Sequence, residues 1–376
     1  MGTRGERWTS WASWLLAGLL AGGAGCGDEG RARQPWASAS DDGGDGADSG
    51  GDDGLDDATS GAGSLTNADD GHGGDDPGDT GRPPGDTDDG MPPGDTGGAE
   101  PPPPGADCPD HCYCEPYDPD ANVDDLVAAY SAGNWESTVL EFLGRRWPAG
   151  RDLLTDSLSD PYFGSFSDKS SFEAAIGDGL PTEAHEMTHG WDFGHATVSE
   201  FSYFVRDDLQ YFPPKIDGFA RSEIYGMLET SASDLYADLY LTGQQGTYGF
   251  MDVLDEGNCY MHDMAVYGVV GEFVPWAGVS GRDGAVAFMY YLELYLRRAR
   301  TQYPQLYAQL QAEPDYVDFV LTQWLRMHFF LPFVDEYPEL GINDAAIREV
   351  MYAPQNMAEI EMFVGHELEA SNCLPQ

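Results

Sequence analysis

The sequence predicts an α+β domain that is mostly helical, with one short β-hairpin, behind a long unfolded lead. Three observations carry that reading. Composition changes near residue 107, from Asp, Gly, Pro, Ser and Thr to Tyr, Phe, Trp, Leu and Met. Beyond that point most stretches place apolar residues at helical spacing. One stretch, 200–212, instead alternates and is rich in aromatics, which is the strand period.

Residues 1–26 read as a targeting segment. Arg4 and Arg7 precede a short apolar run from Trp11 to Ala24, too short for a membrane span. It ends in Gly23-Ala24-Gly25-Cys26, which resembles the lipobox of bacterial lipoproteins. That resemblance implies export, lipidation of Cys26 and a cell-envelope protein anchored to the membrane through lipid. Gly23 stands where a Leu is usual, so an ordinary cleaved signal is the alternative.

Residues 27–107 hold almost no large apolar side chains, so folding would bury too little surface to offset the lost chain entropy. Pro-Gly-Asp-Thr recurs at 77–80, 84–87 and 93–96. This is an acidic tether, spanning on the order of 50 Å if it behaves as a flexible coil.

Residues 108–376 form the folding part, long enough for one sizeable core. Helical spacing predicts helices over 123–132 and 136–145. A short helix follows, with Thr182 as N-cap, Glu183 in its first turn and Gly190 as its stop. The stretch 200–212 predicts a β-hairpin that turns at Asp207-Asp208 and ends at Pro213-Pro214. Helices are then expected over 221–241, 252–270, 282–302, 315–330 and 343–366.

Charge narrows the partners. The chain has a formal net charge of −48. Residues 1–107 hold 22 acidic and 5 basic residues, which leaves 44 and 13, a net of −31, for the folding part. Lys169 and Lys215 are its only lysines. Phosphate binding needs a basic patch, so nucleic acid is excluded as an expected partner. Solubility is the plain use of the acidity, and a preference for cationic substrates the sharper one. Cys108, Cys112, Cys114, Cys259 and Cys373 would meet an oxidising compartment, where two disulfides would leave one thiol over.

One motif carries chemistry. His185-Glu186-Met187-Thr188-His189 places two imidazoles one helical turn apart, so both reach a single ion. Glu186, beside the first, can take a proton from a metal-activated water and pass it to a leaving amine. Neutral imidazoles and an open position suit Zn²⁺.

His185 to Gly190 resembles the zincin superfamily of metallopeptidases. The resemblance covers those few residues and implies that His185 and His189 ligate zinc and that Glu186 is the catalytic base. A zincin-like domain would pack its short hairpin on the active-site helix. Three residues compete for the third ligand. Glu256, in Asp255-Glu256-Gly257-Asn258-Cys259-Tyr260, is preferred as a gluzincin-like arrangement. The order of Arg221, the Phe201–Phe204 strand and Tyr260 around it loosely resembles exported bacterial zincin-like proteins of unassigned activity. His195 has metzincin ligand spacing, but Asp192 replaces the expected Gly and no Met-turn follows. Glu229 resembles the Glu that gluzincins present from a later helix.

Other residues read as structural. Tyr260 fits the core better than an oxyanion donor, and His262 and His328 read as satisfied or buried histidines. There is no phosphate loop and no Gly-x-Ser-x-Gly elbow. The expectation is a zinc metallopeptidase at the cell surface, acting on a peptide or protein. Its rivals are an inactive zincin-like binding lipoprotein and a zinc amidase acting on cell-wall or other non-peptide amides.

Overall fold

The computed structural model describes residues 112–231, 236–274 and 280–368. The targeting segment with Cys26, the tether, Cys108 and Cys373 lie outside them. In chain order the helices are α1 (Asp124–Ala129), α2 (Trp135–Arg146), α3 (Pro148–Asp156) and α4 (Gly179–His195). The strands β1 (Tyr203–Arg206) and β2 (Leu209–Tyr211) follow. Then come α5 (Ala237–Tyr240), α6 (Phe250–Val270), α7 (Gly281–Gln302), α8 (Pro304–Gln311), α9 (Pro314–Val334), α10 (Asp344–Met351) and α11 (Pro354–Val364). The described domain is mostly helical, with one two-stranded antiparallel sheet. None of its helices is long and apolar enough to cross a membrane.

Helix α6 is the centre of the described domain. All its residues except Met251, Asp252 and Gly257 are buried, because α4, α7 and α9 pack around it. A helix covered on every side can be apolar all round, and here the exceptions are polar groups that must find partners inside. Two close approaches set its packing. A Cβ on Gly284 of α7 would come within 2.1 Å of the Tyr260 ring, and one on Gly268 within 2.2 Å of the Tyr117 hydroxyl. Only glycine lets the neighbouring groups in.

The hairpin stands where the aromatic alternation placed it. Tyr203 pairs with Tyr211 and Phe204 with Gln210, and the chain turns at 207–208. Its Tyr203 ring stacks on Phe319 of α9 at 4.2 Å, and the Tyr211 hydroxyl meets Thr322 Oγ1 at 2.7 Å. On the other side the Phe204 N–H donates to Asp192 of α4.

Several boundaries differ from expectation. Helix α4 is neither capped by Thr182 nor stopped by Gly190. It grows out of a π-helical turn, Ala174–Asp178, and runs on to His195. The wider turn precedes Pro181, whose missing N–H would break a regular helix there. Past Gly190 the helix is held by Trp191, packed on Phe204, and by Asp192, bonded to the hairpin. Those contacts outweigh the roughly 1 kcal/mol that a mid-helix glycine costs.

The expected helix over 221–241 is instead a 3₁₀ turn, Arg221–Met227, and the one-turn helix α5. The buried Arg221 side chain donates to the Tyr240 and Gln245 carbonyls and ties this segment into a loop. The expected 343–366 helix divides at Ala353, whose extended conformation is what a residue before proline prefers. Helices α3 and α8, absent from the sequence reading, both begin with proline in the first turn. Cys112 and Cys114 are disulfide-bonded, whereas Cys259 is a free, buried thiol.

Candidate metal centre

Helix α4 presents His185 and His189 toward α6, which answers with Asp255, Glu256 and Cys259. Both histidines are buried, with 7% and 6% of their surface exposed. Their rings meet edge to face at 5.1 Å. The His185, His189 and Cys259 ligand atoms lie within 4.8 Å of one another, a group that could hold a metal ion.

Glu256 lies against the same pair. Its Oε2 is 3.8 Å from His185 Nε2 and 3.7 Å from His189 Nε2. Hydrogen bonds are shorter. Three ligands sharing one tetrahedral zinc stand roughly 3.3–3.6 Å apart, given bonds of about 2.0–2.2 Å. Glu256 thus stands beside the two histidines at separations slightly longer than that, while the group whose ligand atoms gather is His185, His189 and Cys259.

The surroundings fix the ligand orientations. His189 Nδ1 lies 2.7 Å from Asp255 Oδ2, so the Nδ1–H donates to the carboxylate and Nε2 is turned to Glu256. This is the supporting bond that metal-ligating histidines usually make. The Tyr260 ring stands edge-on to His185 at 4.7 Å, and its hydroxyl is 2.5 Å from that of Tyr240. Asp192, behind Asp255, accepts from Phe204 N–H and from Asn258 Nδ2.

Charge follows this geometry. Burial and the neighbouring His189 push His185 down to about 3, which keeps it neutral and ligand-competent. For His189 burial disfavours the charge, but Asp255 outweighs it and raises its pKa. Glu256 is held below the usual carboxylate range: burial opposes the charge, and His189, Arg221 and His185 overcome it. Glu186, half-buried on the same helix, is pushed up to about 7 by burial and, against the pull of His189, by Glu256, Glu183 and Asp255. A carboxyl titrating near neutrality is suited to moving a proton.

The other sequence candidates lie elsewhere. His195 sits exposed at the end of α4, its Nδ1 bonded to the Trp191 carbonyl and its ring stacked on Trp191 at 4.0 Å. Because α4 continues through Gly190, no turn brings His195 back. Glu229 accepts from Asn356 and Gln355 and pairs with Arg297, on an exposed face. His262 meets the Asn258 carbonyl and Arg326 within the core, and His328 is buried beside Trp324 and Tyr352.

Two members of the centre escaped the sequence reading. Asp255 was visible only as the residue before Glu256, and Cys259 was read as a disulfide candidate. The signal for both was their spacing: 255, 256 and 259 share one face of a helix.

Comparison with protein-family models, with curated proteins and with solved structures finds no match for this chain.

Proposed function

We propose that this protein is a zinc-dependent hydrolase of the zincin type that cleaves peptide bonds, with His185, His189 and Glu256 holding the ion. The observation that carries this reading is the approach of both imidazole Nε2 atoms to Glu256 Oε2, with Asp255 behind His189 and Glu186 one residue from His185. Zinc, when bound, would polarise the scissile carbonyl and acidify the attacking water. Glu186 would accept the proton of that water and return it to the leaving amine. Asp255 would keep His189 in the ligating tautomer, and Tyr260 would hold the His185 ring in place. The lipobox-like Cys26 and the acidic tether support a surface lipoprotein whose substrate is a peptide or protein in the cell envelope.

Glu186→Gln tests the reading. Zinc content should stay at the wild-type level, while hydrolysis of a peptide library falls about 10²- to 10⁴-fold. Unchanged hydrolysis would overturn the proposal.

One observation favours a second reading. Cys259 belongs to the same cluster, its thiol within 4.8 Å of the histidine ligand atoms. Four protein ligands would close the centre and make it structural. A large loss of zinc affinity in Cys259→Ser, together with no peptide hydrolysis by the wild type, would establish that reading instead.

A further inference from the structure

One carboxyl group near the centre is left unexplained by zinc binding. Asp263 lies two turns beyond Glu256 on α6, about 10 Å along the axis and on the same face. It is 7% exposed, and its Oδ1 is buried with no hydrogen-bond partner. Glu186 is the charge that acts on it most. Burial, and then Glu186, push its pKa up to about 8, because a buried carboxylate with no counter-charge is expensive.

The surroundings look built for this group. Gly281, at the start of α7, has no side chain where a Cβ would stand 2.7 Å from Asp263 Cγ. Nor does that helix start satisfy the carboxylate: the Asp283 N–H goes to Ser280 Oγ. The phenol groups of Tyr236 and Tyr260 lie within electrostatic reach of Asp263. The Tyr236 hydroxyl is likewise buried, near the Ser280 backbone. Tyr236 also holds φ 53°, the one positive φ at a non-glycine among the described residues. A bulky side chain in that region costs energy and is kept where surrounding structure demands it.

A cation is what this group of residues lacks. A buried carboxyl with a second carboxyl and two phenol groups within electrostatic reach would attract an ammonium or guanidinium by charge and through the ring faces. The net −31 of residues 108–376 would concentrate such groups near the domain. The four-carbon stem of a lysine lets its backbone carbonyl lie at the zinc end while its ammonium reaches the carboxyl end.

We infer that Asp263, within electrostatic reach of Glu186, forms a subsite for a basic side chain of the substrate, so that the enzyme prefers peptides with lysine or arginine next to the scissile bond. This rests on the hydrolase reading above. The role of Asp263 is specificity, whereas Glu186 performs the chemistry.

The test uses zinc-loaded protein and matched peptides with lysine, norleucine or glutamate on either side of the scissile bond. Wild type should favour lysine over norleucine by at least about 30-fold in kcat/KM. Asp263→Asn should erase that preference and leave norleucine peptides within about threefold of wild type. Asp263→Lys should turn the preference toward glutamate. Zinc content and thermal unfolding of each variant identify a folding failure, and Asp263→Glu should then restore the lysine preference. Equal cleavage of lysine and norleucine peptides by the wild type would overturn the inference. So would a loss in Asp263→Asn that is the same for both. If the wild type cleaves no peptide, the hydrolase reading fails by itself, and fluorescence anisotropy of the same labelled peptides decides the subsite. Tighter lysine binding that is lost in Asp263→Asn supports it, and equal binding rejects it.

Discussion

Helix α6 carries two buried polar clusters on adjoining faces, and they are matched in opposite ways. Toward α9, Asn258 makes four bonds: its Nδ2 donates to Asp192 Oδ2 at 3.1 Å and to the Phe204 carbonyl at 2.8 Å. Its Oδ1 accepts from Arg326 Nη1 at 2.8 Å and from Gln323 Nε2 at 3.3 Å. His262 completes the set between the Asn258 carbonyl and Arg326. Toward α4, by contrast, two imidazoles and a carboxylate converge at 3.7–3.8 Å, beyond hydrogen-bond length. The first cluster is bonded from the chain alone at every polar atom of the Asn258 side chain, leaving Gln323 Oε1 and Arg326 Nε over, and it ties the hairpin, α6 and α9 together. The second sets a carboxylate against two histidines that, with Cys259, form a group that could hold a metal ion. The histidines follow the same division, since His189 faces carboxylates whereas His262 faces an arginine.

If that contrast is right, substitutions in the two clusters should fail differently. The largest effect is expected from His189→Ala. Zinc affinity should fall by well over the roughly 100-fold that loss of a supporting residue can cost, and hydrolysis should disappear with it. The metal-free variant should still give a folded circular dichroism spectrum. A variant that keeps one tightly bound zinc by mass spectrometry would remove His189 from the centre.

Asn258→Ala should do the reverse. It strands Arg326 and Asp192 inside the core, so urea unfolding should show a loss of about 3–5 kcal/mol. The folded fraction should keep its full zinc stoichiometry. A loss under about 1 kcal/mol would mean that the network is not what holds α6 to the hairpin.

The contrast also shows what the sequence could convey. His185, Glu186 and His189 were legible because a fixed spacing on one helix defines their geometry without any tertiary knowledge. The hairpin was legible for the same reason, through its period of two. The end of α4 was not, because Gly190 signals a stop that Trp191 and Asp192 cancel through contacts with the distant hairpin. The roles of Asp255, Cys259 and Asn258 depend on which face of α6 meets α4 and which meets α9. Three acidic or histidine residues competed for the third ligand position on paper, and only the packing of α6 on α4 shows that Glu256, like Cys259, lies beside the two histidines whereas His195 and Glu229 do not.

A smaller effect sharpens the line between ligands and their support. Asp255→Asn preserves the size of the side chain but weakens its hold on the Nδ1 proton of His189. Zinc affinity should drop about 10- to 100-fold, measured by competition with a chelator, with the stoichiometry still at one when zinc is in excess. An unchanged affinity would place Asp255 in the structural cluster with its neighbour Asp192.

The smallest expected effect lies on the structural side, at His328 of α9. Burial, and then the nearby Arg348, push its pKa down to about 4. Its folded pKa is thus below the ordinary value near 6.5, and the unfolded chain binds the proton more readily. Its contribution to stability is therefore complete above pH 6.5 and is lost as the pH falls toward 4. Between pH 7.5 and 5.5 that amounts to about 1 kcal/mol. His328→Phe keeps an aromatic ring against Trp324 and Tyr352 but cannot titrate. Urea unfolding at the two pH values should show a smaller drop for this variant than for the wild type, by about that amount. Equal drops would mean that His328 is charged inside the fold.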